Sequence, residues 1–322
     1  MEPGTPIPFV VGCGRSGTTL LRLILNAHPE LAVPPESHFL RHAAQNPQRV
    51  APSRLVETAL ASDRFAQWGV DPRIVRTDAA SLPPRTLAEA ADLIFSAYAS
   101  AHGKPRWGDK TPPYVMCIDG LASILPDARF VHLIRDGRDV AQSFSGVDFG
   151  PPKDPVAQAY YWRRHVTAGR RSGARLGPDR YLEIRYEDLV EDPERQLRSI
   201  CAFVDLPFDE VMLRYRETVP RAVPSGDRAH QANTEKPIMK GIRDWRTSMA
   251  SQDVAAFEAV AGDLLAALGY ELFGARPPRG IEARLTVAKA RIRFLETRTR
   301  LSAARSRARS SSRGVSPGEG VT

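Results

Sequence analysis

Three cysteines in 322 residues, Cys13, Cys117 and Cys201, are too few and too widely spaced for a disulfide framework or a zinc site. They suit a reducing compartment, so the expected location is cytoplasmic. No run approaches about 18 uninterrupted apolar residues, and a membrane-spanning helix is not expected. A signal peptide is not expected either, because a glycine-rich turn at residue 12 stands where its apolar segment would lie. Aromatic residues make up only 7%, yet 42% hydrophobic and 25% charged residues is ordinary globular composition. That excludes a fibrous or wholly disordered chain, and the length suits one large domain or two small ones.

Net charge is also missing from most of the chain. Residues 275–322 hold twelve basic against three acidic side chains, more than the whole chain's net +8, which leaves residues 1–274 one charge negative. The basic isoelectric point therefore belongs to a tail, and nucleic-acid binding by the folded part is not expected. The expected division is a domain over 1–274 and a basic tail over 275–322. Apolar residues spaced by three and four from Ile281 to Leu295 suit an amphipathic helix, with disorder from Ser302 onward. That tail suits contact with an anionic surface or a partner helix.

What is present begins with Pro8-Phe9-Val10-Val11, a short apolar run that reads as a buried strand. Gly12 to Gly17 reads as a tight loop, and Thr18 to Leu25 as a helix. A strand, glycine loop and helix at the start of a chain predict an α/β layer architecture. Further strands are expected at Arg129–Ile134 and Tyr181–Tyr186. Helices are expected over Arg54–Trp68, Thr86–His102, from Asp136 as N-cap through Phe144, and over Pro155–Leu176, Pro193–Val204 and Gln252–Leu268. Val219 to Gly241 is long, polar and rich in glycine and proline, which suits a functional loop.

Gly12 and Gly17 are spaced as the two glycines of a G-x-x-x-x-G phosphate loop. Such a loop turns backbone N–H groups toward an anion, and the helix dipole adds to the attraction. A nucleoside-triphosphate-hydrolysing loop carries Lys after the second glycine, but here that position is Thr18, and the loop's own cation is Arg15. The second strand ends in Arg135 where such enzymes place a metal-holding Asp. A cation there points to a second anion rather than to a metal.

These segments resemble sulfotransferases that use 3′-phosphoadenosine 5′-phosphosulfate (PAPS). Gly14-Arg15-Ser16-Gly17-Thr18-Thr19-Leu20 is similar to the family's first loop. The run Ile134 to Ser143 is similar to its second motif, and Tyr186-Glu187-Asp188-Leu189 to a third. They occur in family order across roughly residues 8 to 270 of the chain. The opening segment, with Leu20, Arg22, His28-Pro29 and Glu36, resembles the protein-tyrosine sulfotransferase branch, while the second half resembles bacterial sulfotransferases of mixed substrate. The resemblance implies a three-layer α/β/α fold with a central, mostly parallel sheet, of the P-loop NTPase-like kind. It implies PAPS as co-substrate, no metal, and transfer to a hydroxyl or amine of a small-molecule, carbohydrate, lipid or peptidyl-tyrosine acceptor.

The resemblance also implies roles. Ser16 to Thr19, with backbone N–H groups and hydroxyls, hold the 5′-phosphosulfate, and Arg15 balances charge there. Arg135 and Ser143 meet the 3′-phosphate, Tyr186 touches the nucleotide, and Lys240, in competition with Lys236, closes over the 3′-phosphate. Lys110 steadies charge on the transferring group, and Glu36 is the expected base, with His38 and Asp109 as alternatives. Arg138 and Asp139 are expected to serve the helix start. The competing readings are a small-molecule kinase of the phosphate-loop class and a non-catalytic nucleotide-binding adaptor.

Overall fold

The computed structural model describes residues 2, 4–218, 244–274, 280, 283, 285–287 and 290. Lys236, Lys240, the polar loop from Val219 and most of the basic tail lie outside them. The chain forms two compact units, residues 1–150 with 161–248, and residues 151–160 with 249–322.

The first unit opens with β1 (Ile7–Gly12), α1 (Thr18–Ala27) and the two-residue β2 (Leu31–Ala32). Five helices follow: α2 (Leu40–Gln45), α3 (Pro52–Leu60), α4 (Asp63–Ala66), α5 (Pro72–Ser81) and α6 (Leu87–Ala101). Next come β3 (Arg106–Trp107), β4 (Asp109–Lys110), α7 (Ile118–Ile124), β5 (Ala128–Ile134) and α8 (Gly137–Ser145). A long helix, α9 (Pro155–Leu176), leads to β6 (Tyr181–Arg185), α10 (Tyr186–Glu191) and α11 (Pro193–Phe203). Short helices α12 (Tyr215–Thr218) and α13 (Trp245–Ser248) complete this unit. In the second unit, α14 (Ser251–Ala267) is followed by a segment whose Phe273 and Gly274 N–H groups donate to Glu258.

Four strands pair in the order β4-β1-β5-β6, all parallel. Alternation along β1 and β5 splits their side chains between two cores. Phe9, Val11 and Phe130 join one core with residues of α2 to α7, while Val10, Val131 and Leu133 join the other with residues of α1, α10 and α11. The sheet is thus covered on both faces, the expected three-layer arrangement. Its strands end at Gly12, Ile134 and Arg185, side by side, and the three expected motifs start from those ends.

The expected single helix over Arg54–Trp68 is two helices. Ser62 stops the first and caps the second, its hydroxyl accepting the N–H of Arg64 at 3.1 Å. Leu55, Val56, Phe65, Trp68, Ile94 and Phe95 build the first core.

Candidate active site

The first strand end makes an anion cradle. Arg15 and Gly17 hold positive φ values of 70° and 91°, which fold the loop tightly before α1. No side chain caps α1 and its first turn has no acidic residue, so its first N–H groups face the loop unsatisfied. The Ser16 N–H is spent on the Cys13 carbonyl at 3.3 Å, leaving its hydroxyl, which is buried and has no hydrogen-bond partner. A buried unpaired hydroxyl beside open helix N–H groups fits a phosphate or sulfate oxygen.

The second strand end supplies Arg135. Its side chain is buried, and its Nε is another buried polar atom without a partner. One guanidinium nitrogen lies 3.6 Å from Asp139, and the guanidinium carbon lies 4.4 Å from the centre of the Tyr186 ring. Tyr186 is the first residue of α10, at the third strand end. The same ring fills the space beside Gly17, where a Cβ would come within 2.4 Å of it. Tyr186 therefore ties the loop to Arg135, and the three motifs form one site.

Ser143 also touches the first loop. Its hydroxyl accepts a hydrogen bond from Arg15 Nε at 2.9 Å, across 128 residues, so it joins the first loop's cation to α8. Arg15 also lies 6.0 Å from the Phe149 ring.

The start of α8 confirms its expected electrostatic role and extends it. Asp136 caps the helix through the Arg138 N–H and also binds the Arg138 guanidinium, which is fully buried. Arg138 stacks 3.7 Å from the centre of Trp245, whose indole N–H donates to Asp136 at 3.1 Å. The Trp245 backbone N–H donates to Asp139 at 2.9 Å. Burial pushes the Asp139 carboxyl up to about 6, against the lowering by Arg135. Glu187 accepts the Asp136 N–H at 3.0 Å and so fixes the turn that carries Arg135. Sequence reasoning gave Glu187 and Trp245 no role. Glu187 sits inside the third motif, which was a usable signal, but nothing local links Trp245 to residues over 100 positions earlier.

The expected base and its neighbours form a second group. Glu36 receives Lys110 Nζ at 2.7 Å on one carboxylate oxygen and His38 Nε2 at 2.8 Å on the other. Burial alone would raise the Glu36 carboxyl, but Lys110 and His38 outweigh it and hold the group below the usual carboxylate range. Burial lowers the Lys110 ammonium, and Glu36 offsets part of that. Beneath them, Ser37 donates its N–H to the Thr111 hydroxyl at 3.0 Å and shares a bond with the Tyr114 hydroxyl at 2.8 Å. Thr111 in turn donates to Asp109 at 3.2 Å. Asp109 is completely buried, and burial pushes its carboxyl up to about 7.

Arg22 and His28 both bind backbone. Arg22 donates to the Val33 carbonyl at 3.3 Å, and His28 Nε2 to the Pro207 carbonyl at 2.8 Å while its Nδ1 accepts the Glu30 N–H. Trp68 donates to the Pro35 carbonyl at 3.0 Å, steadying the segment that carries Glu36, another contact sequence reasoning missed. The structure thus brings Arg15 to Ser143 and Gly17 to Tyr186 and Arg135, along the loop that also carries Ser16 and Thr18, and gathers Glu36, Lys110, His38 and Asp109 in a second group. Thr19 is half-buried in the first turn of α1.

Comparison with known proteins shows the family. The sequence profile of the Sulfotransferase family matches residues 6–210. Protein-tyrosine sulfotransferase 1 of Danio rerio is 26% identical over 287 residues, covering 85% of this chain and 74% of that one. Nodulation protein NoeE of Sinorhizobium fredii is 29% identical over 293 residues, covering 83% and 67%. Among solved structures, the sulfotransferase domain of the Synechococcus PCC 7002 olefin synthase superposes with a TM-score of 0.61 at 28% identity, covering 83% of this chain and 95% of that one. The parallel sheet, the two cationic strand ends and these matches lead to one conclusion: the chain belongs to the sulfotransferase family and is an enzyme that takes its sulfuryl group from PAPS.

Proposed function

We propose that the nucleotide spans the two strand ends, with the 5′-phosphosulfate in the Gly14–Thr19 loop and the 3′-phosphate on Arg135. The single observation that carries this is the pair of buried, unpaired polar atoms, Ser16 Oγ and Arg135 Nε, at adjacent strand ends bridged by Tyr186. When bound, PAPS supplies the sulfuryl group that passes to the acceptor. Arg15, oriented by Ser143, supplies positive charge at the loop. Lys110 is committed to Glu36, so its charge acts on the transferring group through that pair. The group of Glu36, Lys110 and His38 serves the acceptor side, where a hydroxyl must lose its proton.

For the acceptor, we propose a hydroxyl on a small molecule or a peptide. Arg22 and His28, which carry the likeness to the protein-tyrosine sulfotransferases, are occupied with backbone carbonyls. Arg22 thus steadies the backbone leading to Glu36 and His28 that of Pro207, which does not by itself select a tyrosine. A screen with sulfur-labelled PAPS against phenolic, carbohydrate, lipid and tyrosine-peptide acceptors tests this. Transfer to at least one hydroxyl acceptor without added Mg²⁺ is expected. Phosphate transfer from ATP with Mg²⁺ in its place would favour the kinase reading, against which Thr18 and Arg135 already stand.

A further inference from the structure

We propose that His38, held in place by Glu36, is the group that takes the acceptor's proton, through its Nδ1 atom. This rests on the sulfotransfer reading above and reassigns the base within that site.

The carboxylate of Glu36 is ill placed to act alone. Lys110 occupies one of its oxygens and His38 the other, both within 2.8 Å. An ionised carboxylate only accepts hydrogen bonds, so the hydrogen in the His38 contact sits on Nε2. That fixes the tautomer and leaves Nδ1 with its lone pair bare. The bond to Glu36 is the only side-chain hydrogen bond His38 makes among the described residues. A carboxylate that orients an imidazole and steadies the imidazolium is the division of labour found in catalytic His–carboxylate pairs.

Geometry also selects His38 by access. Its side chain is 34% exposed, against 26% for Glu36 and 4% for Lys110, while Asp109 lies completely buried under Thr111 and Ser37. His38 is therefore the most open of these groups to an incoming hydroxyl. The backbone holds it there: His38 has φ of 56°, an uncommon conformation for a residue with a side chain. Bonds from Ser37 to Thr111 and from the Leu40 N–H to Tyr114 hold the segment on both sides. The charged groups facing the pair are Lys110 and Asp109, with Arg22 beyond Lys110.

In the step, the acceptor oxygen forms a bond to sulfur as the bond from sulfur to the nucleotide's phosphate oxygen breaks. That oxygen keeps the bonding electron pair, and the acceptor's proton goes to His38 Nδ1. Glu36 balances the imidazolium, which then releases its proton to water.

Two measurements test this. Long-range ¹H–¹⁵N correlation spectra of the full chain with 3′-phosphoadenosine 5′-phosphate (PAP), His38 being assigned by its loss in His38→Asn, should show the Nε2–H tautomer of the neutral ring. Glu36→Gln should mix the two tautomers. An Nδ1–H tautomer in the unmodified chain overturns the proposal, whatever the acceptor. Transfer from labelled PAPS to phenol should fall by about 10²- to 10⁴-fold in His38→Asn, with PAP affinity within twofold and partial rescue by added imidazole. His38→Asn with the unmodified rate would return the base role to Glu36. An unmodified chain that fails to bind PAP would count against the sulfotransfer reading instead, and the tautomer would still decide the assignment of His38.

Discussion

At Gly17, two constraints meet on one atom. The backbone sits at φ 91°, which favours glycine, and a Cβ would lie 2.4 Å from the Tyr186 ring. Gly17→Ala should therefore cost about 1–3 kcal/mol of stability and displace the ring from Arg135. The expected result is a PAP affinity at least tenfold weaker in calorimetry together with a lower melting temperature. An alanine variant with unchanged affinity would show that Tyr186 does not couple the two strand ends. The glycine was legible in the sequence because loop spacing alone reveals it. The ring was not, because Tyr186 reaches Gly17 only through a sheet order that sets β6 beside β5 and β5 beside β1. The contact of Ser143 with Arg15 was equally hidden, because only the tertiary structure joins residues 128 positions apart.

Among the elements, α8 shows how a helix start becomes part of a binding site. The Asp136 cap was readable from its neighbours, since a cap is a local device. Its extension to Trp245 was not, because the partner arrives from a distant segment. Trp245→Phe keeps a ring over Arg138 and removes the indole N–H from Asp136. It should cost about 1 kcal/mol and weaken PAP several-fold, because the same acidic pair that holds Trp245 lies beside Arg135. Equal PAP affinity with lowered stability would make Trp245 purely structural. The very short strands β2, β3 and β4 were invisible to periodicity, since two residues show no alternation. Helix α9 carries a pH effect of its own. Burial lowers His165 from 6.5 to about 4, so it stays neutral in the folded chain while the unfolded chain takes up a proton. Stability from this group is present above pH 6.5 and is lost as pH falls toward 4. In thermal melts, unmodified chain should therefore lose ground to His165→Gln between pH 7 and 4.5. A gap that stays constant with pH would contradict the shift.

Over the whole molecule, the sheet sets what the sequence could and could not reveal. Buried runs such as Phe9-Val10-Val11 and Phe130 to Ile134 were readable as strands because parallel strands covered on both faces are continuously apolar. Their adjacency is what places Gly12, Ile134 and Arg185 at one end, and so gathers loop, arginine and tyrosine from positions far apart in the chain. The acceptor group follows the same logic, with β4 paired to β1 so that Lys110 comes beside the segment carrying Glu36. A single catalytic residue was harder to read than the anion site. Proton acceptance depends on which nitrogen is bare, and no residue pattern encodes that. The most direct test of the central claim is calorimetric titration of PAP, without Mg²⁺, into the unmodified chain and Arg135→Ala, with the melting temperature of each recorded unliganded. One site per chain is expected, weakened at least tenfold by the substitution while the melting temperature moves by no more than a few degrees. Equal affinity in the two proteins, or binding of ATP with Mg²⁺ but not of PAP, would contradict it.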